Sequence, residues 1–171
     1  MKKIIATLLF SAFISSALFA QYEEDVKSVD SIIKALYASI SGEKGEPRDW
    51  DRFRYLVIPE AQLIPTAKNK EGKLVYSVIT PEQFVIQADK NFVENGFYEY
   101  ETNRDTQDYG HVVHVFSTYA SKRSVNDAEP FNQGINSIQL FNDGSRWWVV
   151  SIYWAHETDY NPIPKKYKAK S

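Results

Sequence analysis

Gly134-Ile135-Asn136-Ser137-Ile138-Gln139-Leu140-Phe141-Asn142-Asp143-Gly144-Ser145-Arg146-Trp147-Trp148-Val149-Val150-Ser151-Ile152-Tyr153-Trp154 reads as two long strands folded back on each other. Asn142-Asp143-Gly144 is the turn, since Asp-Gly supplies the backbone freedom that a tight hairpin needs. The second strand is apolar on both faces, which places it in the interior of a sheet rather than at an edge. Its tryptophans can fill a core or line a cavity.

The chain before this hairpin supplies the helices. Asp25 to Ile40 carries Val26, Val29, Ile32, Ile33, Leu36, Tyr37 and Ile40 at helical spacing, and Gly42 stops it. Trp50 to Leu56 reads as a short helix with Asp49 as N-cap, ended by Pro59. Ala61 to Pro65 and Leu74 to Ile79 read as a strand pair around the turn Asn69–Lys73. Thr80-Pro81-Glu82-Gln83 opens a third helix by a capping box with proline at the first position, and Gly96 ends it. Four strands complete the chain: Phe97–Arg104, Val112–Lys122, Ile135–Asn142 and Trp147–His156. This order predicts an α+β fold with three helices on one face of a curved, largely antiparallel sheet. From Asn161 the chain carries two prolines and four lysines and reads as a solvated basic tail.

The first twenty residues give an address. Met1-Lys2-Lys3 is a basic head, Ile4 to Ile14 is apolar but too short to span a bilayer, and Ser15 to Ala20 is a small-residue exit. This predicts a secretory signal peptide cleaved after Ala17 or Ala20 and an exported protein, periplasmic or secreted. No later segment is apolar enough for a membrane span. With no cysteine, an exported chain is held without disulfides. Removing Lys2 and Lys3 from the 20 basic residues leaves 18 against 22 acidic ones, a formal charge of about −4. That disfavours nucleic acid as a partner. Residues 21–160 are long enough for one domain with its own core.

Three motifs in this order carry a resemblance. They are Ile58-Pro59-Glu60-Ala61-Gln62-Leu63, Val113-His114-Val115-Phe116-Ser117-Thr118-Tyr119, and Asp143-Gly144-Ser145-Arg146-Trp147-Trp148-Val149-Val150. With the closing Trp154-Ala155-His156-Glu157 and Asn161-Pro162-Ile163-Pro164, the chain resembles the NTF2-like superfamily, which includes SnoaL-like and ketosteroid-isomerase-like cones. The resemblance implies a cone of about six strands with a pocket between sheet and helices, often a homodimer through the sheet. Function does not follow, because such folds serve enzymes, binders and assembly modules alike.

Strand residues alternate faces, so parity selects the pocket residues. Set beside the ketosteroid isomerase pattern, the pocket set comprises Tyr37, Phe84, His114, Phe116, Thr118, Ser137 and Gln139. Val150, Ile152 and Trp154 complete it from the last strand. Trp148 shares their parity, and Trp147 points to a dimer face. A one-residue slip exchanges the two faces. The isomerase chemistry requires a carboxylate base and a two-part oxyanion site. Here the oxyanion acid position holds Ser137 and the base position falls near Pro65, so two of the three groups are missing. The Asp-Arg-Asp arrangement of epoxide hydrolases is not visible either.

His111, His114 and His156 are the only histidines. His111 and His114 lie on opposite faces of a regular strand, which argues against a shared metal, and no cofactor is implied. The reading is therefore a non-catalytic pocket for a small apolar or aromatic molecule. Two alternatives stand beside it. One is a lyase, isomerase or hydrolase-like enzyme using His114 with Tyr37 or Glu60. The other is a homodimeric interaction module whose cone is filled.

Overall fold

In the computed structural model, residues 21–168 are described. The signal peptide expected over residues 1–20 lies outside them.

Ser28 begins the first helix. Its hydroxyl accepts from the Ser31 amide, and the Ser31 hydroxyl accepts from the Ser28 amide in return. Helix α1 is accordingly Val29–Ile40, with the residues just before it in a 3₁₀ turn, Glu23–Val26. The apolar spacing from Val26 reports burial correctly, at 3% exposure. It overstates helical continuity, because the Ser28 cap interrupts the helix. Helix α2, Trp50–Leu56, is capped by Asp49, whose side chain accepts from the Arg52 amide. Helix α3, Pro81–Asn95, is opened by the Thr80–Gln83 capping box and closed by Gly96 at φ 71°.

Six strands form one sheet in the order β2-β1-β6-β5-β4-β3. They are β1 (Val57–Lys68), β2 (Leu74–Tyr76), β3 (Tyr98–Tyr109), β4 (Val112–Lys122), β5 (Asn132–Asn142) and β6 (Trp147–His156). β6 is interior, parallel to β1 and antiparallel to β5, as its two apolar faces require. The first strand starts at Val57, straight out of α2, with an irregularity between Val57 and Gln62 that accommodates Pro59. β3 runs past Arg104 to Tyr109, because Gly110 at φ 64° turns it directly into β4.

The helices bury Ile32, Ile33, Leu36, Phe53 and Leu56 against Leu63, Val113, Val115, Ile138, Leu140 and Val149 of the sheet. The inward positions on β4 are therefore the odd-numbered ones, and on β5 the even-numbered ones. On β6 parity changes midway. Leu140 pairs with Val149 and Gln139 with Ser151, leaving Val150 as an extra residue. This bulge lets both Val149 and Ile152 point inward. Among the described residues no helix is long and apolar enough to cross a membrane.

The described part of the segment from Asn161 is mostly exposed, as a solvated tail would be, but it is anchored to the sheet. Ile163 is buried, and its amide donates to Glu157 at 2.9 Å. Thr118 Oγ1 donates to the Tyr167 carbonyl at 2.6 Å, and the Tyr167 ring packs on Phe116 at 4.9 Å. Residues 157–168 thus form a strap over the outer face of the sheet. Its lysines mask two apolar anchors, Ile163 and Tyr167, which is why it reads as solvated.

Gly134 on β5 stands between Tyr119 of β4 and His156 of β6, its neighbours in register. A Cβ there would lie 2.4 Å from the Ala155 carbonyl oxygen and 2.4 Å from the Tyr119 hydroxyl. Backbone cannot rotate away as a flexible side chain can. Gly134→Ala is expected to destabilise the fold by roughly 2 kcal/mol, read as a lower midpoint in urea unfolding at unchanged m-value.

Candidate functional site

Between the helices and the sheet lies a cavity of about 300 Å³. Aromatic side chains from every layer wall it. Phe53 of α2 meets Phe84 of α3 at 5.5 Å between centroids, and Phe84 meets Trp154 of β6 edge-on at 6.4 Å. Phe92, at the other end of α3, stacks on Phe97 at 3.9 Å. Helical spacing on α3 puts Phe84, Ala88 and Phe92 on one face, and the small Ala88 between them leaves room for Trp50 to contact both rings. Trp50 is fixed by its own Nε1–H donating to Asp89 at 2.6 Å.

The floor is polar. The Asn136 amide donates to the Tyr37 hydroxyl at 3.1 Å, and Tyr37 meets Ser117 Oγ at 2.7 Å. Ser117 donates to Glu101 Oε1 at 2.5 Å. Because Ser117 gives its proton to Glu101, Tyr37 gives its own to Ser117. The chain ends at Arg104, which clamps the Glu101 carboxylate through Nε at 3.0 Å and Nη2 at 2.7 Å and reaches on to Asp30.

Glu99 is the second inward acid of β3, and its surroundings differ. Its Oε2 accepts from Ser121 Oγ at 3.0 Å and its Oε1 accepts weakly from Asn136 at 3.4 Å. Among the described residues no Lys, Arg or His lies within ion-pair distance of it. Glu99 is half-buried and lines both the cavity and a side opening between α1 and β3. Desolvation pushes its pKa up to about 7, with the Ser121 and Asn136 hydrogen bonds opposing. Burial, and next the Glu99 charge, raise the Tyr37 and Tyr119 hydroxyls, so both stay protonated. His156 closes the floor. Its Nδ1 lies 2.7 Å from the Tyr119 hydroxyl and 2.8 Å from Asn132 Nδ2, and burial lowers its pKa.

Of the residues selected from the sequence, Tyr37, Phe84, Ile152 and Trp154 line this cavity. His114, Phe116, Thr118, Ser137 and Gln139 lie on the opposite face of the sheet. His114 Nε2 is 2.9 Å from Ser137 Oγ there, Nδ1 is 3.3 Å from Gln107, and Phe116 and Thr118 hold the strap. The parity slipped by one residue because the strap gives β4 a second apolar face. Val150 is the bulged residue, and Val149 takes the inward place. The same bulge reverses the tryptophans. Trp147 packs on the core, whereas Trp148 faces outward, bonded to Asp143 at 2.7 Å beneath the Arg146 guanidinium. Glu60 is exposed on β1, so His114, Tyr37 and Glu60 do not meet. The cone is also not filled.

Glu99, Asn136 and Tyr119 escaped the sequence reading. In Tyr98-Glu99-Tyr100-Glu101 the acids look like the wet face and the tyrosines like the dry one, whereas the acids point inward. His156 did carry a signal, since it shares parity with Ile152 and Trp154.

Neither a protein-family profile nor a curated protein matches the chain. Solved structures do match in fold. A Nostoc punctiforme protein of unknown function with a cystatin-like fold aligns at TM-score 0.56 and 11% identity, over 77% of this chain and 90% of that one. The association domain of C. elegans CaMKII aligns at TM-score 0.53 and 16% identity, over 74% and 92%. An NTF-2 like protein of unknown function from Silicibacter pomeroyi aligns at TM-score 0.50 and 10% identity, over 75% and 92%. The fold is an NTF2-like α+β cone.

The Glu99 carboxyl makes stability depend on pH. Its folded pKa of about 7 exceeds the ordinary value of 4.5, so the folded state holds the proton more tightly than the unfolded chain. That stabilisation is complete below the ordinary value and is lost as pH rises through about 7. Glu99→Gln removes the loss. The variant is expected to exceed the parent by roughly 3 kcal/mol at pH 8 and to match it near pH 4, as measured by thermal unfolding at both pH values.

Proposed function

We propose that this protein is an exported domain that binds a small molecule with an apolar or aromatic body inside the cone, without performing chemistry on it. The observation that carries the reading is the cavity of about 300 Å³, walled by Phe53, Phe84, Phe92, Phe97 and Trp154 and left open beside a polar floor. Its size and its mixture of ring faces with a few convergent polar groups suit a compact ligand. Export follows from the basic head and apolar run of the first twenty residues.

The test is a panel of single-ring and two-ring probes, including toluene, indole and 2-phenylethanol, titrated while tryptophan fluorescence is followed. Trp154 lines the cavity and reports occupancy. Ile152→Phe, which fills the cavity from β6, is expected to weaken binding at least tenfold. Phe141→Ala, on the outer face, is expected to leave it unchanged. No binding by any probe defeats the reading.

We further propose that two copies pair through the outer face of the sheet. Tyr109, Val112, Phe141 and Tyr153 are exposed there, while the strap covers Phe116. One of the fold neighbours is, by its name, an association domain. Sedimentation velocity is expected to show a dimer in the parent and a monomer in Phe141→Glu. A monomeric parent at high concentration rejects the pairing.

A further inference from the structure

The two inward carboxylates of β3 are treated differently by the fold. Glu101 receives a bidentate guanidinium from Arg104. Glu99, two residues earlier, receives only a hydroxyl and a side-chain amide. It is the one carboxylate among the cavity-lining residues. An ionised carboxylate has about four acceptor positions, so its capacity is not exhausted by two donors. The cost of its charge inside the cone is not met by any cation of the described residues.

The charged and titratable groups around Glu99 do not fill that role: Lys34 of α1 and Arg104 of β3 line the side opening with it, but neither is within ion-pair distance of it. Tyr37 of α1 and Tyr119 of β4 are neutral hydroxyls. His156 of β6 is engaged through Nδ1 by Tyr119 and Asn132 and forms no ion pair with Glu99; partial desolvation of its ring lowers its pKa, although the residue is exposed at the surface. Glu101 on the same strand is negative and already paired. Arg123, after β4, lines the cavity but lies over the Phe131 ring at 4.0 Å and reaches the Gly96 carbonyl rather than Glu99. Phe92, Phe97 and Trp154 line the same cavity, and ring faces attract cations.

We propose that the cavity recognises an amine, with the protonated nitrogen set against the Glu99 carboxylate and the apolar body of the ligand held among Phe92, Phe97 and Trp154. The inference rests on the cavity being a ligand site and names the class of ligand. Ser121 and Asn136 are positioning residues in it, since they orient the carboxylate. A neutral carbonyl ligand would instead take a hydrogen bond from protonated Glu99, and the two cases have opposite dependence on pH. Amine binding needs Glu99 ionised, so it strengthens as pH rises through 7. Carbonyl binding weakens over the same range.

The experiment is calorimetric titration of the purified protein with phenethylamine and with 2-phenylethanol, which share a body and differ in the head group. At pH 8 the amine is expected to bind at least tenfold more tightly than the alcohol, and at pH 6 this preference is expected to shrink several-fold. Near pH 7 amine binding should release a proton, seen as a binding enthalpy that changes with the ionisation enthalpy of the buffer. Glu99→Gln is expected to abolish the preference, while Glu99→Asp keeps part of it. Equal or tighter binding of the alcohol at pH 8 overturns the proposal and leaves the cavity reading intact. So does a preference that survives in Glu99→Gln. Amine affinity that rises toward pH 6 also overturns it, by showing Glu99 acting as a donor. If neither probe binds, the amine proposal falls, and the wider probe panel decides the cavity reading separately.

Discussion

A helix laid in a curved sheet will close on it unless something holds the two apart at a fixed distance. Here that constraint is the hydroxyl of Tyr37, which reaches from α1 to Ser117 at 2.7 Å and receives the Asn136 amide at 3.1 Å. Tyr37 is 5% exposed and Ser117 is fully buried, so neither hydroxyl has water as a substitute partner. Moving α1 toward the sheet or away from it would leave buried donors and acceptors unpaired, at a cost of about 1–3 kcal/mol for each. The spacing is thus specified by polar groups, while the apolar residues beside them supply the driving force. The cavity exists because the hydrogen bonds set a separation that the neighbouring side chains do not fill.

The network also explains why β3 carries two acids inward. Ser117 can satisfy Tyr37 only by passing its own proton onward, and Glu101 is the acceptor. Arg104 then compensates Glu101, and Asp30 at the start of α1 completes the pairing. The Glu101–Arg104 pair is about one-fifth exposed on each side, so its charges are only partly desolvated. An inward acid in this position is therefore a structural requirement with its own counter-ion. Glu99 has no such requirement to meet, which separates its role from that of its neighbour.

The helices and the succession of strands along the chain were readable because they depend on local signals. Asp49 and Thr80 cap the helices that the sequence assigned to them, Gly96 ends the third helix at positive φ, and the apolar run of β6 required an interior strand, whereas the Ser28 cap and the Gly110 turn were not read. The faces of the strands were not readable, and the reason is physical. A parity argument assumes one wet face. The strap removes that assumption by covering Phe116 and Thr118, so β4 has apolar residues on both sides. The bulge at Val150 removes it again on β6, because one inserted residue reverses every position on one side of it. The site was misplaced for these two reasons together. Tyr37, Phe84, Ile152 and Trp154 come from helices or from beyond the bulge, where neither difficulty applies. Glu99 was hidden by a third effect. Inward acids are rare enough that alternation of Tyr and Glu suggests the opposite arrangement.

The floor and the walls of the cone make contrary demands on a ligand, and that contrast limits what fits. Ring faces from α2, α3 and β6 favour an apolar body. The Glu99 carboxylate penalises it, since an apolar group against an ionised Glu99 takes away solvent and leaves the charge with only the Ser121 and Asn136 donors and no cation. An occupant that carries a positive head on an apolar body satisfies both. It also couples binding to folding, because the ionised Glu99 is a burden on the empty cone at high pH and a contact in the filled one. A ligand of this kind stabilises the protein most where the empty protein is weakest. The pH range in which that coupling acts is set by the same desolvation that raises the carboxyl to about 7.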